Sequence, residues 1–147
     1  MRYLFIYLFI YMPTLLFSQE MMLDWTNCFG TVTGAFPEGV EILPNGHTIM
    51  NVNVRGENSA YTNFHGDKDS WVIVLDNNGS IINDRCFGGS NYDIFIDIEV
   101  GIDFIYFVGN TNSIDGDALS EPIGNPIFDL WVVKTDFDLN IIWEKKY

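Results

Sequence analysis

The chain has 147 residues, with 20 acidic against 7 basic side chains, a formal net charge of −13, and 48% hydrophobic residues. An acidic excess of this size, without a Lys or Arg cluster, excludes a nucleic-acid binder, because polyanions are held through grouped basic side chains. It also argues against docking on an anionic membrane surface, and the length leaves room for one domain of ordinary size.

Residues 1–18 read as a secretory signal peptide: Arg2, an apolar run from Tyr3 to Phe17 broken by Pro13, then Ser18 and the polar pair Gln19-Glu20. The run is too short to span a bilayer comfortably. The expectation is cleavage near Ser18 or Gln19 and a secreted or cell-surface product, residues 19–147, with no stable membrane insertion. Without residues 1–18 the chain has six basic and twenty acidic residues, a net charge of about −14, which reads as solubility after export.

In chain order, short strands are predicted at 25–29, 39–43, 47–54, 71–75 and 81–87, and no window has the period of an amphipathic helix. Pro44-Asn45-Gly46 and Asn77-Asn78-Gly79 supply turns, since Asn and Gly tolerate left-handed backbone, and residues 55–68 form a polar loop. Residues 71–75 are apolar on both faces, which implies burial on both sides of a sheet. Residues 93–100 alternate strictly: Ile94, Ile96, Ile98 and Val100 fall on one face, Asp93, Phe95, Asp97 and Glu99 on the other. Strands at 102–108, ended by Gly109-Asn110, at 130–135 and at 141–147 complete the set, with residues 111–128 as the long loop.

The chain repeats itself. Asp69-Ser-Trp-Val-Ile-Val-Leu-Asp76 returns about sixty residues later as Asp129-Leu-Trp-Val-Val-Lys-Thr-Asp136, and Trp25-Thr-Asn-Cys-Phe-Gly30 matches Asn83 to Gly88. A period of this length with strand-like content is the mark of a repeat architecture, here units at about 25–82 and 83–142 and the start of a third at 143. Four antiparallel strands per unit, with the longest loop between the second and third, predict an all-β fold of β-propeller blades, incomplete at about two blades plus an extra strand. Missing blades are expected from downstream chain or from another copy. Cys28 and Cys86 hold equivalent places, and equivalent places in stacked units usually lie beyond the limit of about 7 Å between Cα atoms that a disulfide allows. Two separate thiols acting as small, partly buried apolar groups are expected.

These residues resemble a family of exported bacterial β-propeller-like repeat proteins, often type IX secreted. Their unit reads roughly Trp-x-x-x-Phe/Tyr-Gly-Gly-Ser, an acid, a strand, Gly-x-Thr-x-Ser, an Asp-Gly-Asp loop and Asp-x-Trp-Val-Val-Lys-x-Asp. Cys86-Phe-Gly-Gly-Ser90, Asp93, Gly109-Asn-Thr-Asn-Ser113, Asp115-Gly-Asp117, residues 129–136 and Trp143 match in that order. The first unit departs from it, with Arg55-Gly-Glu57 for the acidic loop and Asn83 where a Trp is expected. The resemblance implies a surface or secreted product and says little about activity.

Asp115 and Asp117, with Asn112 beside them, are the candidate metal ligands: alternate acids in one loop suit a hard cation, and calcium is the ion they would take. The terminal Glu of a calcium-binding helix–loop–helix is absent, and the glycine between the acids equally fits a plain turn. Asp97 and Glu99, with Glu41 in the corresponding place of the first unit, would line the inner channel of a propeller. His47 and His65 have no counterparts in the second unit, and no nucleophile elbow, zinc-protease motif or phosphate-cradling loop is present. The reading is a non-catalytic structural, adhesive or binding module for extracellular glycan or protein. The alternative is an accessory or catalytic propeller of a secreted polysaccharide hydrolase.

Overall fold

A computed structural model describes residues 26–28, 34–56, 61–122 and 127–147. The expected signal segment lies outside them, as does part of the expected first strand; residues 26–28, which are described, belong to no strand. The fold is all-β, with no helix among the described residues. Sheet A runs β1 (Ala35–Ile42), β2 (Thr48–Arg55), β3 (Lys68–Leu75) and β4 (Ile81–Phe87). Sheet B runs β5 (Asp93–Val100), β6 (Ile105–Thr111), β7 (Asp129–Thr135) and β8 (Ile141–Lys146). Both are antiparallel meanders in sequence order, each with its longest connection between second and third strands. Strand β4 closes sheet A, although the sequence unit beginning at residue 83 includes most of it.

The third-to-fourth hairpins are turned by the same chemistry in both sheets. Asp76 Oδ1 accepts the amides of Asn78 and Ser80 at 2.8 Å each, and Asp136 Oδ1 accepts those of Asp138 at 3.0 Å and Asn140 at 2.8 Å. The next position is left-handed in both, at Gly79 (φ 77°) and Leu139 (φ 66°). A leucine there costs about 1–2 kcal/mol of backbone strain. It is offset because Leu139 is buried in the core between the sheets.

That core joins Ile49, Val72, Val74 and Phe87 of sheet A to Phe95, Ile98, Phe107, Trp131 and Val133 of sheet B. Phe95 is its centre, stacked on Phe107 at 4.8 Å and Trp131 at 5.0 Å between ring centroids. Polar side chains of sheet A hold the backbone of the same residue. Asn51 Nδ2 and Asn53 Nδ2 donate to Phe95 O at 2.8 and 3.2 Å, and Phe95 N donates to Ser70 Oγ at 2.5 Å. The far face of sheet A has its own cluster of Val52, Val54, Trp71, Ile73, Leu75 and Cys86, so β3 is buried on both sides as its composition predicts.

Four expectations need correction. Strand β5 does not keep one alternation: its register slips between Phe95 and Asp97, so Phe95 and Ile98 share the core side while Ile96 is exposed. The bulge sits opposite Gly109, which lies inside β6 instead of ending it; a Cβ there would overlap the carbonyl of Ile94. Strand β1 begins at Ala35, earlier than its weak pattern suggests, because Pro37 is tolerated beside a bulge in an edge strand. The two cysteines are free, with Cys86 fully buried; Cys28 is exposed instead of partly buried.

Replacing Gly109 with Ala forces the bulge apart. Urea unfolding should show a loss of about 2–3 kcal/mol with an unchanged slope, against a smaller loss of about 1 kcal/mol for Gly46→Ala, where a Cβ has open space and only the left-handed backbone (φ 86°) resists it.

Candidate functional site

The long loop of sheet B leaves β6 at Thr111 and folds back onto the Gly88-Gly89-Ser90 bend between the sheets. Asp93, fully buried at the head of β5, organises it. Its carboxylate accepts Gly89 N and Ser113 Oγ, both at 2.7 Å, and the hydroxyl of Thr111. The bend must be glycine, since a Cβ on Gly89 would lie 2.5 Å from the carbonyl of Asp115. Asp115 Oδ1 accepts Ser90 N at 2.7 Å, and this backbone hydrogen bond holds its carboxyl below the usual range. Asn112 Oδ1 accepts Tyr92 N at 2.8 Å, and Asp117 Oδ1 takes the guanidinium of Arg85 at 2.5 Å. The three candidate metal ligands are therefore brought into one loop, each with an oxygen already committed to a protein donor. Among the described residues no group of three or more His, Cys, Asp or Glu side chains is placed to hold a metal ion.

Two internal cations fix the same loop. Arg85 reaches across from β4, donating to Asp117 and, at 3.1 Å, to Leu139 O of the β7–β8 turn, with its guanidinium over the Phe87 ring. Lys146 stands opposite Trp131 in β8, where Cys86 stands opposite Trp71 in sheet A. Its ammonium is buried and donates to Ser113 O at 2.7 Å and Ala118 O at 2.9 Å. A buried charge of this kind is tolerated only because oxygens replace its water.

A third device escapes the sequence reading altogether. Trp71 Nε1 donates to Asp84 at 2.9 Å and Trp131 Nε1 to Glu144 at 3.0 Å; the same carboxylates accept Thr62 N at 3.1 Å and Ser120 N at 2.6 Å. Each sheet thus ties its outer strand, its central tryptophan and its long loop to one acid. The signal was an acid thirteen residues beyond each tryptophan.

The remaining candidates do not assemble into reaction chemistry. Asp97 and Glu99 are exposed beyond the β5 bulge, and Glu41 holds the register place of Glu99, opposite Ile49 where Glu99 faces Tyr106. His47 opens onto a surface cleft of about 350 Å³ at the turn end, lined also by Asn83 and Asp138, and contacts Asn45. His65 lies at the other end, where Asp69 Oδ2 accepts its backbone amide at 2.8 Å and pairs with its ring Nδ1 at 3.0 Å. That hydrogen bond raises the imidazole above its usual range, while burial raises the Asp69 carboxyl. Burial also pushes the Cys86 thiol up, which leaves it unreactive. No family model matches the chain, and no curated protein is significantly similar to it.

Both members of the His65–Asp69 pair have raised values, so their contribution to stability is complete at low pH and is lost as pH rises. For His65 it is full below 6.5 and disappears as pH climbs through the higher folded value. Urea midpoints should fall from mildly acid to mildly alkaline pH, and His65→Gln should flatten that slope; an equal slope in the variant would assign it elsewhere. Lys146→Met leaves two loop carbonyls without their donor and should cost about 1–3 kcal/mol, read by the same unfolding measurement.

Proposed function

We propose that this chain is an exported, non-catalytic, β-propeller-like repeat module whose two sheets are successive blades and whose loops bind extracellular glycan or protein. One observation carries the reading. The face of sheet A turned toward sheet B is made of three cross-strand rows: Asn53, Ser70 and Phe87; Asn51, Val72 and Arg85; Ile49, Val74 and Asn83. The outward face of sheet B has three rows in the same register: Asn110, Leu130 and Tyr147; Val108, Val132 and Lys145; Tyr106, Lys134 and Trp143. Even the cation over the ring recurs, Arg85 above Phe87 at 4.7 Å and Lys145 above Tyr147 at 5.2 Å. Yet Leu130 is 44% and Tyr147 53% exposed where Ser70 and Phe87 are sealed. A face built row for row like a covered one supports the stacking of a further sheet of the same kind, from more chain or another copy.

The acids favour binding over catalysis. Asp84, Asp93, Asp117 and Glu144 are engaged in holding loops, and the exposed pair Asp97 and Glu99 has no positioned partner to make one an acid and the other a base. Nor does the loop need an added cofactor, because Arg85 and Lys146 already supply positive charge to it.

Two experiments test this. Extending the chain after Tyr147 with a second copy of residues 88–147 should raise the melting temperature and shift tryptophan emission to the blue, and Trp143→Phe should remove that shift. An extension that melts separately and leaves the emission unchanged defeats the blade reading. Thermal melts of the unextended chain in excess calcium and in chelator should coincide; a calcium-dependent rise abolished by Asp115→Asn would restore the cation as a cofactor.

A further inference from the structure

We infer that Phe36, Tyr92 and Phe128 form an aromatic platform that binds a neutral pyranose glycan; this names the glycan arm of the binding role proposed above and rests on it. The three rings come from segments remote in sequence: Phe36 from the start of β1, Tyr92 from just before β5, and Phe128 from just before β7. Phe36 and Tyr92 flank Lys68 at the start of β3, and Phe128 adjoins Tyr92. Its ammonium lies 5.2 Å from the Phe36 ring centre and 4.9 Å from that of Tyr92, and Tyr92 meets Phe128 edge-on at 5.4 Å.

Folding does not account for the exposure of these rings. None belongs to either core cluster, and Phe36 and Phe128 are 56% and 45% exposed. Tyr92 is nevertheless held in place. Tyr92 N donates to Asn112 Oδ1 at 2.8 Å and Tyr92 O accepts Asn112 N at 3.1 Å, while Asn91 O accepts the amides of Asp67 and Lys68 at 3.1 Å each. Lys68 Nζ donates to Tyr92 Oη at 3.3 Å. A ring held before a ligand arrives spares it the ordering cost of binding.

The chemistry selects the ligand class. An aromatic face is electron-rich, and the C–H-bearing face of a pyranose is its complement. Exposed Asn91 and Asn112 flank the rings; Asn91 Nδ2 donates to Asn112 O at 3.3 Å and Asn112 Oδ1 accepts Tyr92 N, so Asn91 Oδ1 and Asn112 Nδ2 are the acceptor and donor they offer sugar hydroxyls. A bound peptide strand would need one continuous sheet edge to pair with, and of the three rings only Phe36 stands within an edge strand, β1, while Tyr92 and Phe128 precede β5 and β7. Lys68 is occupied between two rings, and the chain's −13 charge repels polyanions, so the glycan is a neutral one.

Native electrophoresis through gels containing hydroxyethyl cellulose, laminarin, galactomannan, polygalacturonate or gelatin tests this. At least one neutral polysaccharide should retard the chain, with Phe36→Ala and Phe128→Ala each weakening the affinity about fivefold and Phe128→Tyr retaining it. Melting curves establish that the variants are folded. On the unmodified chain, amide shifts on adding oligosaccharides of the retarding glycan should cluster around Tyr92, Asn112 and Phe128. No retardation by a neutral glycan, retardation indifferent to the ring variants, shifts centred elsewhere, or selective retention by gelatin or polygalacturonate would each overturn the platform. Such a failure leaves the stacking of sheets untouched, since that is read from Trp143 emission in the extended chain.

Discussion

The join between the sheets depends on how sheet A grips one peptide of β5. Phe95 presents its ring to Phe107 and Trp131 and its backbone to Asn51, Asn53 and Ser70. Those groups reach side-chain partners because β5 is the edge strand of sheet B and Phe95 turns its amide and carbonyl away from β6, beside a bulge that the missing Cβ of Gly109 accommodates. Aromatic packing alone is permissive about register, since rings slide at small cost. Three polar side chains aimed at one amide and one carbonyl are not, because an offset would bury them without partners, at about 1–3 kcal/mol for each group. Affinity between the sheets therefore comes from the rings, and register from the polar contacts.

The long loop of sheet B follows the same logic with charge. Its turns are too polar to be stabilised by burial, so the chain supplies Arg85 from one sheet and Lys146 from the other as fixed counterions. This couples the loop to both sheets: Arg85 touches the loop, the β7–β8 turn and Phe87 together. Asp93 and Asp117 are engaged in this work, while Asn112, Ile114 and Asp115 of the same loop stay exposed.

Much of the fold was legible because strands announce themselves by composition. The two-sided burial of β3, the turn at Asn77-Asn78-Gly79 and the placing of long loops between second and third strands all follow from residue order. The failures have local causes. A period of two assigns faces correctly only while the ladder is regular, and Phe95 opposite Gly109 breaks it; the glycine was the visible sign and was taken as a strand end. Nor does spacing along a chain reveal that Arg85, about thirty residues earlier, arrives at Asp117 of the loop read as a candidate cation site. The tryptophan–acid pairs were invisible for the opposite reason: an acid in an outer strand looks solvated until its partner is known. Phe36, Tyr92 and Phe128 are scattered singly through the chain, so no spacing marks them as a group.

Among the described residues every ladder pairs strands that are neighbours along the chain. Each sheet can therefore close from its own hairpins without waiting for distant segments, and the long-range event is the seating of one finished sheet on another. For a chain that emerges gradually, from a ribosome or through a translocation pore, sheet A would stand alone for a time with its receiving face uncovered. That face carries Asn51, Asn53, Ser70 and Arg85 among its aliphatic side chains. Water can satisfy these groups until β5 displaces it, so the residues that later fix the register also keep the waiting half-molecule from adhering to its neighbours.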